Sequence, residues 1–211
     1  MSLEHVDFGD VIFVERQEDV RIIVSIPARF SSSERRDARG ERRVFACRAV
    51  YLSPGAVALA SPVTVRVGER IIAHIDRVGE LTGAVAHVLE GGFVMNIAAS
   101  ADQRYQLATK IQWLDKHKNH DVLDRRTDER VMAPSPHSRM ILPDGSSETC
   151  LVLNISASGA AISSETAPYI GAILLIGKAV SCVVRHFEGG FAVRFVKRDK
   201  RNNILAKVIC D

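Results

Sequence analysis

The sequence predicts a mainly β protein, built as two tandem, small, antiparallel six-stranded barrels, each followed by an α-helix. Three observations predict the tandem β architecture and by themselves leave a small barrel or a sandwich open for each half. A set of landmarks occurs twice in the same order, short β-rich segments are separated by turn residues, and helical periodicity is confined to the stretch after each strand set.

The repeat comes first, because it divides the chain. Glu15-Arg16-Gln17-Glu18-Asp19-Val20-Arg21 lies without a gap over Asp124-Arg125-Arg126-Thr127-Asp128-Glu129-Arg130, with identities at Arg16, Asp19 and Arg21. Arg29-Phe30 parallels Arg139-Met140, and Glu90-Gly91-Gly92-Phe93 matches Glu188-Gly189-Gly190-Phe191. Tyr51-Leu52-Ser53-Pro54-Gly55-Ala56 parallels Asn154-Ile155-Ser156-Ala157-Ser158-Gly159-Ala160 and reads as one residue shorter. The implied domains are 1–118 and 119–211.

Alternation and turn signals place strands at Ile22–Phe30, Arg43–Tyr51, Ala56–Ala60, Arg70–Ile75, Leu81–Leu89 and Phe93–Ile97 in the first copy. In the second they fall at Val131–Ile141, Thr149–Asn154, Ala160–Ser163, Ala172–Ile176, Ala179–Phe187 and Phe191–Val196. Short strands bounded by Gly, Pro, Asp and Ser suit a small antiparallel barrel or sandwich. Ala101–Lys116 carries Tyr105, Leu107, Ala108, Ile111 and Leu114 on one stripe, with Asp102 early and Lys116 late to suit the helix dipole. Arg198–Cys210 offers Ile204, Leu205, Val208 and Ile209 as a shorter helix. The His- and Lys-rich 116–122 segment reads as the linker.

With 211 residues, 46% hydrophobic and 25% charged, the chain has room for two domains of about 100 residues and the balance of a globular protein. A net charge of +3 suits anionic ligands but falls short of a dedicated duplex-DNA binder. Cys47, Cys150, Cys182 and Cys210 form no CxxC pair, which points to buried thiols in a reducing compartment rather than a zinc site or a disulfide framework. No apolar run approaches 18 residues and the N-terminus carries Glu4 and Asp7, so a membrane span or signal peptide is not expected; the expected location is cytoplasmic.

The chemistry concentrates in the second copy. Arg126 and Arg130 stand four apart just before a strand, with Arg125 adjacent. A guanidinium stays charged, pairs bidentately with phosphate, stacks on flat bases and fits the O6/N7 edge of guanine. By itself such spacing is most often solvated charge. In Asn154-Ile155-Ser156-Ala157-Ser158-Gly159, Asn154 and Ser156 alternate with Ile155 and present an amide and a hydroxyl on one face. Gly159 permits a tight turn and close approach of a ligand. Taken singly, this segment also reads as a polar turn that satisfies its own backbone.

As a pair, Arg126-Thr127-Asp128-Glu129-Arg130 and Asn154-Ile155-Ser156-Ala157-Ser158-Gly159 resemble the RxxxR and [D/N]xSxxG signature of PilZ domains, over roughly 123–211. The resemblance implies a six-stranded barrel and a bacterial receptor for cyclic di-GMP; neither enzymatic activity nor a cofactor is expected of the chain. It also implies the roles. Arg126 and Arg130 would wrap the ligand's phosphates and guanine edges from the arm before the first strand. Asn154 and Ser156 would contact its other face, and Gly159 would allow the approach. Arg125 would sit where a basic residue is compatible with a stacked pair of ligands. The first copy departs from the signature: Gln17 replaces the first arginine while Arg21 keeps the second, Tyr51 replaces Asn, and the turn reads short. It resembles a degenerate PilZ-like module, assigned to interdomain regulation or docking of an unidentified downstream protein.

Other features carry less. Ser31–Arg43 sets five arginines against three acids and lacks aromatic interleaving, so a solvated hairpin loop is the better reading. His117 and His120 in the linker, and His87 and His186 in matching strand regions, lack a second ligand at metal spacing. No nucleophile with its base, nor a framed carboxylate pair, is recognisable. Two rivals to dinucleotide binding are a ligand-independent scaffold for proteins and, less favoured, a nucleic-acid binder using Ser31–Arg43 and Lys197-Arg198-Asp199-Lys200-Arg201.

Overall fold

The computed structural model describes residues 20–117, 136–197 and 206–209. The first barrel comprises β1 (Ile22–Arg36), β2 (Arg42–Leu52), β3 (Ala56–Ala60), β4 (Arg70–Ile75), β5 (Gly79–Leu89) and β6 (Gly92–Ile97), followed by α1 (Ala101–Lys116). The second comprises β7 (His137–Ile141), β8 (Ser147–Ile155), β9 (Gly159–Ser164), β10 (Ile173–Ile176), β11 (Ala179–Phe187) and β12 (Gly190–Phe195). Around the first barrel the strands run β1-β2-β3-β6-β5-β4, and around the second β7-β8-β9-β12-β11-β10, the same order. All pairs are antiparallel. Closure leaves neither sheet an open edge.

The repeat extends to irregularities. The β2–β3 ladder shifts between Ala49 and Tyr51, and β8–β9 shifts between Val152 and Asn154. The β5–β6 ladder shifts between Val85 and His87, and β11–β12 between Val183 and Arg185. His186 therefore matches Val88 rather than His87, because both stand opposite the phenylalanine that follows a Gly-Gly turn.

Each barrel closes over inward-facing residues. Phe30 contacts Phe45 and Phe93 at centroid distances of 5.6 and 5.2 Å in the first core. Met140, the counterpart of Phe30, Ile162 and Phe191 are buried in the second, with Val208 packed on them. The helix α1 starts with a capping box of Ser100 and Gln103, which satisfies two amides at its open end. It buries Leu107, Ile111 and Leu114 at helical spacing, and its Lys110 donates to the carbonyl of Val78. Tyr105, predicted on that stripe, faces solvent instead, two positions from Leu107 and so on the opposite side of the helix. Of the second predicted helix, 206–208 are helical and 198–205 lie outside the described residues. The expected boundary at 118/119, and 131–135 of the predicted first strand of the second copy, also lie outside them.

The first strand is longer than predicted. Ser31–Arg36 continues β1 and pairs with both β2 and β4, so only the tip of the supposed loop turns back, where Asp37 accepts the amides of Arg39 and Glu41. Its arginines are also not simply solvated. Arg35 and Arg43 both pair with Glu165 of the second barrel, at 2.8 and 3.3 Å, and Arg43 lies 4.8 Å from the Phe45 ring centroid.

Candidate ligand-binding site

The second motif is the turn from β8 to β9. Ile155 points into the core and is 1% exposed, which puts Asn154 on the outer side of the strand, opposite Ala161. Ser156 closes the turn. Its amide donates to Gly159 O at 2.8 Å, its hydroxyl donates to the same oxygen at 3.2 Å, and Ser158 Oγ lies 3.3 Å away. Ser156 is buried and engaged with its own backbone, as expected of a serine that shapes a turn.

Gly159 has a structural reason to lack a side chain. A Cβ there would stand 2.1 Å from Val193 O of β12, so the glycine admits the neighbouring strand. The close approach it permits is therefore between strands.

The two copies of this turn are equal in length, which corrects the gap expected from the sequence. Leu52 pairs with Val57 as Ile155 pairs with Ala160. Ser53 N donates to Ala56 O as Ser156 N donates to Gly159 O, and Ile97 N donates to Gly55 O as Phe195 N does to Ser158 O. Tyr51, Ser53 and Ala56 are thus the counterparts of Asn154, Ser156 and Gly159. The apparent gap came from aligning Gly55 with Gly159 by residue type.

This register shows what the first copy does with the same surface. Tyr51 packs, with Val50 and Leu89, against the buried Ala56, Ala58 and Val94 on the outside of the first barrel. In the second barrel the matching outer positions are Gly159, Ala161 and Ala192, with Asn154 in place of Tyr51 and the exposed Arg194 opposite Gly159. One copy covers its shelf of small residues with an aromatic ring; the other presents an amide beside it.

Arg125, Arg126 and Arg130, and the first-copy counterpart Gln17, lie outside the described residues. Arg21 is described and exposed.

The turn adjoins a joint between the barrels that sequence reasoning missed. Arg48 of β2 is buried and donates to the carbonyl of Leu153, the residue before Asn154. Desolvation lowers its pKa from the ordinary guanidinium value. Leu151 of β8 is fully buried in the cluster that forms the core of the first barrel, and Leu153 packs on it. Ala46 N donates to Gly189 O at 2.9 Å, Arg29 pairs with Glu188 at 3.3 Å, and the His137 ring lies 3.0 Å from Ser61 O. A cleft of about 220 Å³ at this joint is lined by Arg43 of one barrel and Ser164, Thr166, His186 and Phe191 of the other; the motif residues are not in its lining. Among the described residues no group of His, Cys, Asp or Glu is placed to hold a metal ion, and no helix is long and apolar enough to cross a membrane.

The chain is similar to solved PilZ structures. The PilZ domain of CeSA from a cellulose-synthesising bacterium matches at 16% identity and TM-score 0.35, over 46% of this chain and 98% of that one. PlzA of Borreliella burgdorferi, solved in complex with c-di-GMP, matches at 10% identity and TM-score 0.27, over 88% of this chain and 91% of that one. YcgR of Escherichia coli, also in complex with c-di-GMP, matches at 10% identity and TM-score 0.27, over 87% of this chain and 80% of that one. No family model and no curated protein sequence matches.

Proposed function

We propose that this protein is a non-enzymatic receptor for cyclic di-GMP, and that the second barrel holds the ligand between Arg126 and Arg130 on one side and the Asn154–Gly159 turn on the other. The observation that carries this reading is the contrast between the two copies. The same turn and the same shelf occur in both, yet Tyr51 covers the shelf in the copy whose first motif is broken at Gln17. In the copy with the complete arginine pair, Asn154 takes that place beside Ala161 and Ala192. An amide next to a flat apolar surface suits a base edge and a base face, while two guanidinia supply the charge for two phosphates.

The joint supplies a route from binding to output. Leu153 O is held by Arg48 of the first barrel, so a ligand engaging Asn154 acts one residue from an interbarrel bond. Engagement of Arg126 and Arg130 by the same ligand then biases how the barrels sit and which surface a downstream protein meets.

Isothermal titration with cyclic di-GMP tests the assignment. Wild type is expected to bind at micromolar affinity or better. Arg126→Ala and Arg130→Ala each lose a charge-assisted phosphate contact of about 1.5–3 kcal/mol, weakening binding roughly 10- to 150-fold. Absence of heat from wild type removes the proposal and leaves the protein-docking scaffold.

A further inference from the structure

The outer face of β10, β11 and β12 on the second barrel is apolar and exposed. Ile173, Val180, Val184 and Val196 all stand out to solvent there. The register makes them neighbours: Ile173 is opposite Cys182, Leu175 opposite Val180, and Val196 N donates to Val180 O. Next to them, in the loop before β10, Tyr169 and Ile170 are 69% and 60% exposed. Gly171, at φ +93°, turns that loop into the strand, with its amide donating to Val183 O. The matching face of the first barrel is a control within the same chain. Its β4–β5 pairs are His74 with Glu80 and Ile72 with Thr82, and Arg70 begins β4. A barrel of this kind does not require an apolar outer face.

Charge around the apolar face has one sign. Lys178, Arg185, Arg194 and Lys197 are its exposed charged residues, and Thr166–Phe187 and Gly189–Lys197 contain no Asp or Glu. The flanking acids are engaged elsewhere: Glu165 pairs with Arg35 and Arg43, and Glu188 pairs with Arg29. Asp144, in the β7–β8 turn beyond the other edge of β10, accepts from Ser146.

We infer that this face docks on an anionic lipid surface, with Tyr169 and Ile170 entering the headgroup region. Exposed apolar patches of this kind mark protein or membrane contacts. The uniform positive charge argues against a second copy of this chain, since two such faces would repel. It favours a surface of single sign and no fixed pattern over a protein, where charges of both signs are usually matched. The interfacial preference of tyrosine suits the loop.

Sedimentation of the full chain with vesicles tests this without any nucleotide, so failure of the ligand assignment leaves the result untouched. The protein is expected to pellet with vesicles of equal parts phosphatidylcholine and phosphatidylglycerol, less so with phosphatidylcholine alone, and less as salt rises. Ile170→Asp with Val184→Asp lowers partitioning about tenfold or more, and Ile170→Ser, confined to the loop, lowers it in the same direction. Lys178→Glu with Arg185→Glu lowers it by about fivefold for each cation lost. Glu80→Ala with Thr82→Ala on the first barrel leaves it unchanged. The inference is overturned if wild type stays in the supernatant, which leaves the face to an acidic protein, or if Ile170→Ser and the double aspartate variant bind as wild type does. A dimer in analytical ultracentrifugation that Ile170→Asp dissolves also overturns it, assigning the face to a second copy.

Discussion

The guanidinium of Arg48, on the second strand of the first barrel, donates to the carbonyl of Leu153 on the second barrel, one residue before the Asn154 motif position. Arg48 is buried and the bond part-buried, and desolvation of the cation lowers its pKa without a carboxylate to compensate. Removing it leaves a part-buried carbonyl without that donor, at about 1 kcal/mol, offset in part by relief of the buried charge. Arg48→Met is expected to lower unfolding free energy in urea by about 1 kcal/mol while keeping the apolar stem. Arg48→Ala costs more, through lost packing. Equal stability of Arg48→Met and wild type would show that the bond contributes nothing to the joint.

The Gly-Gly turns reach across the same joint. Gly189 has φ +80°, and a Cβ on it would lie 2.3 Å from Ala46 N and 2.7 Å from Phe45 C, both backbone atoms of the other barrel. Gly145 has a similar φ of +85° with nothing within 4 Å of a Cβ. Gly145→Ala therefore reports the conformational penalty alone, about 1–2 kcal/mol. Gly189→Ala adds a displacement of backbone and is expected to cost about 1–3 kcal/mol more. Small-angle scattering should show an increased radius for Gly189→Ala only; matching melts and radii for the two variants would refute the role given to this turn.

Much of the fold was legible because burial of one strand face writes alternation into the sequence. The Gly-Gly turns were legible because positive φ selects glycine. The joint was not. Arg48 and Leu151 occupy strand positions facing away from their own barrel, and one chain in isolation does not say that a second barrel covers them. Ser31–Arg36 read as a loop because its charged residues masked the alternation that continues β1. At the candidate site the residue types were legible and the register was not: Gly55 resembles Gly159 in kind, but hydrogen bonding equates Gly159 with Ala56. Gly159 itself drew a ligand explanation where the proximity of β12 is sufficient.

The thiols give a prediction with a defined sign. Burial raises the Cys150 pKa to about 12 and raises that of Cys47 further, from an ordinary value of 9.0. A group whose folded pKa is raised contributes its full stability below the unfolded value, and that contribution declines as pH rises above it. Stability should therefore fall from about pH 9 upward, by up to about 1.4 kcal/mol per pH unit for each thiol, and less steeply in Cys150→Ala. Below pH 9 both thiols stay protonated and covered, while Cys182 is half-buried. Alkylation mapped by mass spectrometry should mark Cys182 well before Cys47 or Cys150, and early labelling of Cys47 would contradict the burial described.

Asn154 and Gly159 should separate binding from folding. Asn154 lies on the outer face beside Ala161, so Asn154→Ala is expected to cost at most about 1 kcal/mol of stability. If the amide reads the ligand, the same change weakens cyclic di-GMP by about 1–2 kcal/mol, or roughly 5- to 30-fold. Gly159→Ala should do the reverse. Its Cβ would stand 2.1 Å from Val193 O, so β12 must shift and the melting temperature drops whether or not ligand is present. Loss of binding in Gly159→Ala therefore counts as evidence of contact only at temperatures where the variant remains folded. Titration at low temperature beside a thermal melt of each variant distinguishes the two: a Gly159→Ala protein that melts as wild type does yet fails to bind would restore the ligand role to the glycine, and unchanged affinity in Asn154→Ala would remove the amide from the site.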